Sequence, residues 1–282
     1  NKYVALMQAK STDITSCIIS ENCKFVYDSA FYNCSKLTRL SISDGVTFIG
    51  DKAFYGCSSL SEIYYNGDIN DWVQIDGIGN LMLYDSSSSK KLYINDKLLS
   101  EAVIDKATKI NHAAFMYCRS LTSVIIGSSV TSIGDSAFYL CNSLTSVTIG
   151  GSVTSIGAYA FRSCGLKSII IPDSVTYIGK DAFAYSSLNA ISIGNGVTSI
   201  SEGVFSCCKG LTSITIPDSV THISRGAFTH CNNLTSVTFE NCSGWHASNG
   251  GSAVILTLTN ASQNASYLRN IYCDYYWYWQ KK

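Results

Sequence analysis

Ala137-Phe138-Tyr139-Leu140-Cys141-Asn142-Ser143-Leu144-Thr145-Ser146-Val147-Thr148-Ile149-Gly150-Gly151-Ser152-Val153-Thr154-Ser155-Ile156-Gly157 is the stretch that decides the fold. From Leu144 to Ile149 apolar and polar residues come to alternate, the period of a half-buried strand. Gly150-Gly151 sets off a second short extended piece, Val153-Thr154-Ser155-Ile156. Gly157 then allows a turn, and Ala158-Tyr159-Ala160-Phe161 is expected to form a helical or 3₁₀ turn. Asp51, Asp135 and Asp181 stand just ahead of an Ala-Phe pair, where a capping carboxylate is favoured.

The same pattern recurs along most of the chain. Phe31, Phe54, Phe115, Phe138, Phe161, Phe183, Phe205 and Phe228 occupy one position in it, at spacings of 23, 61, 23, 23, 22, 22 and 23 residues. The long interval resolves into an enlarged unit of 39 ending near Tyr93 and one of 22, with Ala102 and Ile104 falling where Val124 and Ile126 fall in the next unit. Residues 12–30 fit as a degraded first unit through Ile14, Cys17, Ile19, Cys23 and Val26. No single unit can bury both its Leu/Val/Ile stripe and its Ala-Phe corner. Stacking can, because equivalent residues then form ladders about 4.8 Å apart. The two 22-residue spacings come from units that lose one residue between the Cys and Leu positions, at Cys164-Gly165-Leu166 and Ser186-Ser187-Leu188. A deletion at that corner is expected to spare the ladders.

The expectation is therefore an α/β repeat solenoid of about ten coils, a right-handed superhelix with one parallel β-sheet, short second strands and helical turns. It spans residues 1–242, with an insertion at about 66–98 and a C-terminal cap over 243–282. In the insertion, Asp71-Trp72-Val73-Gln74-Ile75 reads as a short helix that packs Trp72 onto the solenoid. Ser86 to Ser89 reads as a loop, and Asn95-Asp96-Lys97 as a hairpin turn. In the cap, Val254-Ile255-Leu256-Thr257-Leu258 reads as a strand and Asn264 as the cap of a short helix. The closing Tyr272, Tyr275, Tyr276, Trp277, Tyr278 and Trp279 would cover the open end of the last coil.

The repeated Ala-Phe-x-x-Cys-x-x-Leu-Thr-Ser-Ile-x-Ile-Pro-Asp-Ser-Val-Thr-x-Ile-Gly pattern, seen from residue 204 to residue 226 and in the neighbouring units, resembles the BspA-like leucine-rich repeat over about residues 14–239. The resemblance implies a leucine-rich-repeat fold in a secreted or surface-attached bacterial or protist protein. It also implies adhesion to, or binding of, host proteins or glycans. The unit at Gly203-Val204-Phe205 departs from the pattern in lacking its Ala, a mild packing change.

Composition narrows the function. Charged residues are 14% of the 282, against about 25% in ordinary domains, and 20 Lys+Arg balance 20 Asp+Glu. A chain this neutral lacks the basic footprint of a nucleic-acid binder. No apolar run reaches the roughly 20 residues of a membrane span. Seven of the 12 cysteines, Cys34, Cys57, Cys118, Cys141, Cys164, Cys208 and Cys231, lie three residues after a ladder Phe. Ladder neighbours point the same way at a spacing beyond disulfide range, so these thiols are expected to be free and structural. Cys242 and Cys273 lie outside the ladder and are the pair that could join across the cap.

His112, His222, His230 and His246 are scattered and read as solvated loop residues, and no metal or cofactor is expected. Asp173 and Asp218 read as turn residues. No nucleophile with an oriented base can be named, so no enzyme is expected. What the sequence offers is a hydroxyl-rich strand face: Ser123, Ile125, Ser146, Thr148, Ser168, Ile170, Ser192, Ser213, Thr215, Ser236 and Thr238 fall at outward positions. A shallow face suits a protein or glycan ligand better than a small substrate. The chain is expected to be a monomeric binding or adhesion module; a structural spacer or surface-layer component is the alternative.

Overall fold

The computed structural model describes residues 4–83, 90–249, 253–258, 260–271 and 278–281. Each alternating segment is a strand that buries its even-numbered or odd-numbered set and exposes the other. The main row consists of β1 (Ser16–Ile19), β2 (Arg39–Ser43), β3 (Glu62–Asn66), β4 (Lys91–Ile94), β5 (Lys97–Leu98), β6 (Glu101–Ile104), β7 (Ser123–Ile126), β8 (Ser146–Ile149), β9 (Ser168–Ile171), β10 (Ala190–Ile193), β11 (Ser213–Ile216) and β12 (Ser236–Phe239). Except for the short β5, which pairs antiparallel with β4, pairing is parallel and one coil in register: Cys17 faces Leu40, Ile126 faces Ile149, and Ile171 faces Ile193. Short second strands such as Lys109–Ile110, Ser132–Ile133 and Ser155–Ile156 form another parallel row. The core between the rows is a stack of Leu, Val and Ile ladders with the phenylalanine rings of successive coils stacked 4.8–5.8 Å apart.

The expected single parallel sheet is instead a row in four parts, β1 to β5, β6 to β8, β9–β10 and β11–β12. Two of the breaks fall where the corner length changes. β8 follows Cys141-Asn142-Ser143-Leu144 and β11 follows Cys208-Lys209-Gly210-Leu211, whereas β9 and β10 follow corners one residue shorter. Losing that residue leaves the phenylalanine ladder intact but interrupts the strand pairing, which corrects the expectation that both would survive. The remaining break lies beside the insertion. There β4 turns back through Asn95 and Asp96, both at positive φ, into β5, with Ile94 opposite Lys97. A two-residue turn of this hand is the one that fits strand twist.

The expected helical turn at Ala-Phe is absent. The residue two before Phe holds a left-handed φ (Ser29 58°, Ser136 55°, Tyr159 59°, Gly203 63°), and so does the residue two after Phe (Asn33 58°, Leu140 60°, Ser163 59°, Cys207 58°). Alternate N–H groups therefore point along the stack. Ser136, Phe138 and Leu140 donate to the carbonyls of Ala158, Ala160 and Arg162 at 2.8, 2.8 and 3.0 Å. The corner is a third inter-coil ladder, and the fold is a β-solenoid rather than an α/β one. The carboxylates ahead of it serve the next coil: Asp28 accepts from Asp51 N at 2.8 Å and Asp135 from Ala158 N at 2.7 Å. Gly157 is not a turn residue of positive φ. A Cβ there would come within 2.5 Å of Asp135 N in the preceding coil, so glycine is needed for close approach.

In the insertion, Asp68 caps α1 (Ile69–Trp72) through a bond from Asn70 N, and α2 is Gly79–Met82. Trp72 is fully buried and its Nε1 donates to Ala114 O at 3.0 Å, which is the expected packing role. The helix begins two residues earlier than its sequence suggests. The Ser86–Ser89 loop lies outside the described residues.

Beyond β12, β13 (Trp245–Ser248), β14 (Ala253–Ile255) and β15 (Tyr278–Lys281) pair antiparallel, and β15 adds to the second-strand row at His222–Ile223. Trp245 and Trp279 are buried against Phe239, with ring centroids at 5.2 and 6.0 Å. The helix α3 (Ala261–Ser266) is capped by Asn260, which accepts from Gln263 N at 3.0 Å. Asn264 is not the cap. It is buried in the helix, and its Nδ2 donates to Val237 O of β12 at 3.0 Å, meeting the open edge of the last strand. Of the closing aromatics, Tyr272, Tyr275, Tyr276 and Trp277 lie outside the described residues, as does Cys273 and with it the Cys242–Cys273 pairing.

Candidate binding face

Alternation along each strand puts every candidate on the outward side of the main row. Ser146, Thr148, Ser168, Ile170, Ser192, Ser213, Thr215 and Thr238 are exposed, as is Ile125, while Ser123 and Ser236 are half-buried. Register brings them into rows: Ser123 beside Ser146, Ile125 beside Thr148, Ser213 beside Ser236 and Thr215 beside Thr238. Threonines at the strand entrances are held by the coil before, with Thr145 and Thr235 hydroxyls donating to Thr122 O and Thr212 O at 3.4 and 3.3 Å. The face is not uniformly polar. Ile170 is 71% exposed, and Ile125 and Val103 are each 50% exposed.

The outward positions expected from the sequence began at Ser123, and the N-terminal part of this face adds aromatic and charged groups to them. Tyr64 and Tyr93 point outward from adjacent strands with rings stacked at 4.3 Å. Arg39 lies 5.2 Å over Tyr64 and makes an ion pair with Glu62 at 2.8 Å. The signal was present: in Ile63-Tyr64-Tyr65 and Leu92-Tyr93-Ile94 the same alternation sends Tyr64 and Tyr93 outward.

The ladder thiols lie inside, away from this face. Cys57, Cys141, Cys164, Cys208 and Cys231 donate to the phenylalanine carbonyl of the preceding coil at 3.0–3.3 Å. Ser186 makes the same bond to Phe161 O at 2.9 Å. None of the seven ladder cysteines is in a disulfide. Burial pushes the Cys118 and Cys231 thiols up to about 12 and those of Cys141 and Cys208 well above their ordinary value.

Charged groups gather at the corner. Arg162 pairs with Asp181 at 2.8 Å and lies 4.6 Å over Tyr185, and Glu202 takes Lys180 at 2.9 Å and Arg225 at 3.2 Å. Burial raises the Asp181 carboxyl, while the bond from Lys180 lowers that of Glu202. Three cations share two carboxylates from neighbouring coils, so the cluster ties adjacent coils together. Asp173 and Asp218 are turn residues, accepting from Asn195 N and Lys281 Nζ, each at 2.7 Å. His222 is no loop residue: it sits in a short strand, half-buried, and burial lowers its pKa. Among the described residues no three His, Cys, Asp or Glu side chains cluster as metal ligands would, and no helix is long and apolar enough to cross a membrane.

The sequence matches the family model of the BspA type leucine rich repeat region, in six copies, over residues 9–103 and 108–235. The chain belongs to this family. The matched residues include every strand of the main row up to β11, save Ile104 at the end of β6, and the whole insertion hairpin. No curated protein matches the sequence. Solved structures similar to this BspA-type chain include a leucine rich cell surface protein of Faecalibacterium prausnitzii, 22% identical, covering 82% of this chain and 89% of that one with a TM-score of 0.45. A leucine-rich repeat protein of Bacteroides ovatus is 21% identical, with coverage of 83% and 76% and a TM-score of 0.46. The pneumococcal vaccine antigen PcpA is 14% identical, with coverage of 84% and 83% and a TM-score of 0.45.

Proposed function

We propose that this BspA-type chain is a non-catalytic binding or adhesion module, secreted or at a cell surface, which contacts a host protein or glycan through the outward face of its main strand row. The setting is carried over from the family resemblance. The observation that supports the contact surface is the face itself: in-register rows of hydroxyls interrupted by exposed Ile125 and Ile170, a surface of hydrogen-bonding groups and apolar patches without an enclosed site. From Ser123 to Thr238 the outward strand positions carry no Trp, Tyr or Arg and no charge, so contact there is spread out rather than concentrated.

The test is binding of the chain to a panel of purified extracellular-matrix proteins and glycans. Micromolar affinity is expected, changing little between low and high salt because no charge on this part of the face steers the encounter. Replacing Ser146, Thr148 and Ser213 together by Glu should abolish it with melting unchanged, since three carboxylates would be desolvated without partners. Binding that survives in the triple variant moves the contact elsewhere. Failure to bind any of the panel favours the structural spacer.

A further inference from the structure

In the main row the first residue of a strand donates its N–H to the coil before it. Glu62 N donates to Thr38 O at 3.1 Å, Lys91 N to Ser61 O at 2.8 Å, Ser123 N to Ser100 O at 3.4 Å and Ser146 N to Thr122 O at 3.3 Å. Glu101 holds that position in β6, in register with Ser123, yet among the described residues β6 pairs with β7 alone. The chain that would have supplied its other neighbour has turned back as β5 and paired with β4. Successive residues of a strand offer their N–H and C=O to opposite edges. Ser100 O and Ile104 O accept from β7, from Ser123 N and from Gly127 N at 2.7 Å. The main-chain groups of Glu101 and Val103 therefore face away from β7. They face a groove of about 490 Å³ whose lining includes Ile94, Asn95, Lys97 and Leu98 of the hairpin. The other two breaks in the row separate strands that lie directly against each other. This one leaves room, within the roughly 300–1,000 Å³ of ligand sites.

Side chains point to the same occupant. Leu98, 44% exposed, is directly opposite Tyr93 and so shares the outward face with the stacked Tyr64 and Tyr93 rings. Across the groove Val103 and Ile125 continue the row, in register and each half exposed. An apolar row thus runs across the strands from Tyr64 to Ile125 and is interrupted only at the groove.

We propose that the groove binds an extended peptide segment of a partner protein as an added strand on β6, placing one of its apolar side chains between Leu98 and Val103. A strand edge of alternating donors and acceptors is matched along its length by another extended main chain, which a glycan does not provide. This sharpens the binding-module reading and rests on it, adding a peptide anchor at the insertion beside the spread-out contact along the Ser/Thr face.

The test begins with a phage-displayed library of random 12-residue peptides selected on the immobilised full chain, followed by synthesis of an enriched peptide. Val103→Pro removes one groove-facing N–H, keeps those of Ala102 and Ile104 for β7, and places proline on an edge, where strands tolerate it. At least tenfold weaker peptide binding is expected, with melting little changed. Leu98→Lys, at the exposed hairpin, should weaken binding by a similar factor without touching β6. N-methylation along the peptide should abolish binding at alternate residues only, and added peptide should slow hydrogen exchange at Glu101 and Val103. A flat methylation profile, full binding to Val103→Pro, or no enriched peptide overturns the proposal. Should peptides or matrix proteins bind and be lost only in the triple Glu variant, the edge site falls while the binding-module reading stands. Self-association of the chain that Val103→Pro abolishes would make a second copy the occupant and equally overturn it.

Discussion

The cysteine position is held by a hydrogen bond as much as by volume. Each thiol from Cys141 to Cys231 described above gives its proton to a phenylalanine carbonyl one coil back, and Ser186 fills the place with the same bond. Cys141→Ser should therefore unfold at nearly the same urea concentration as the parent, whereas Cys141→Ala removes one of the two donors to the buried Phe115 carbonyl, which keeps Cys118 N at 3.0 Å, and should lose about 0.5–1.5 kcal/mol. Titration gives a second readout. Burial raises the folded thiols above their ordinary value of 9.0, to about 12 for Cys118 and Cys231. The unfolded chain then sheds protons first as pH rises, so the stability tied to these groups is full below about pH 9 and is lost progressively towards pH 12. A Cys231→Ser chain should show a shallower decline over that window in urea unfolding. A parent chain whose stability is flat from pH 9 to pH 11 would contradict the buried, protonated thiols.

The corner is the element the sequence hid. Strands and the Asn95–Asp96 hairpin were legible because alternation and turn chemistry are written in residue type. The left-handed positions carry Ser, Asn, Lys, Ala, Tyr, Leu, Asp, Cys, His and Gly, so composition does not mark them, and Ala-x-Ala-Phe imitates the start of a helix. Only the demand that alternate N–H groups reach the next coil fixes the backbone. Ser136, at φ 55°, is the place to test this, since Gly203 and Gly226 occupy the same position. A left-handed L-residue costs about 1–2 kcal/mol, offset by the ~0.5–1 kcal/mol that glycine loses in chain entropy. Ser136→Gly should thus gain roughly 0.5–1 kcal/mol, and the β-branched Ser136→Val should lose more than 1 kcal/mol. Thermal unfolding of the two variants distinguishes this corner from a helical one, in which glycine would destabilise and valine would matter little.

At the scale of the whole molecule the repeat made the stack legible, and the corner lengths carried the breaks in its sheet, but the outward aromatics near the insertion emerged only with the pairing of β3 and β4. An array of this kind is stable through nearest-neighbour interfaces, so its last coil depends on what covers it. Three contacts do so at the C-terminal end. Trp245 and Trp279 close over Phe239, Asn264 meets the Val237 carbonyl, and β15 extends the second-strand row at Ile223. A chain ending at residue 242 loses all three together. Phe239 and Val237, now buried, would face water beside an unpaired strand edge, and an open apolar edge recruits another chain. We expect lower soluble yield, a lower melting temperature and aggregates by light scattering. Thr238→Lys in the truncated chain separates the two causes, because a lysine on the exposed edge blocks strand pairing without restoring the covered core. It should bring back solubility while leaving melting low. A truncated chain that stays monomeric and melts as the parent does would mean that the aromatic end piece serves recognition instead of closure.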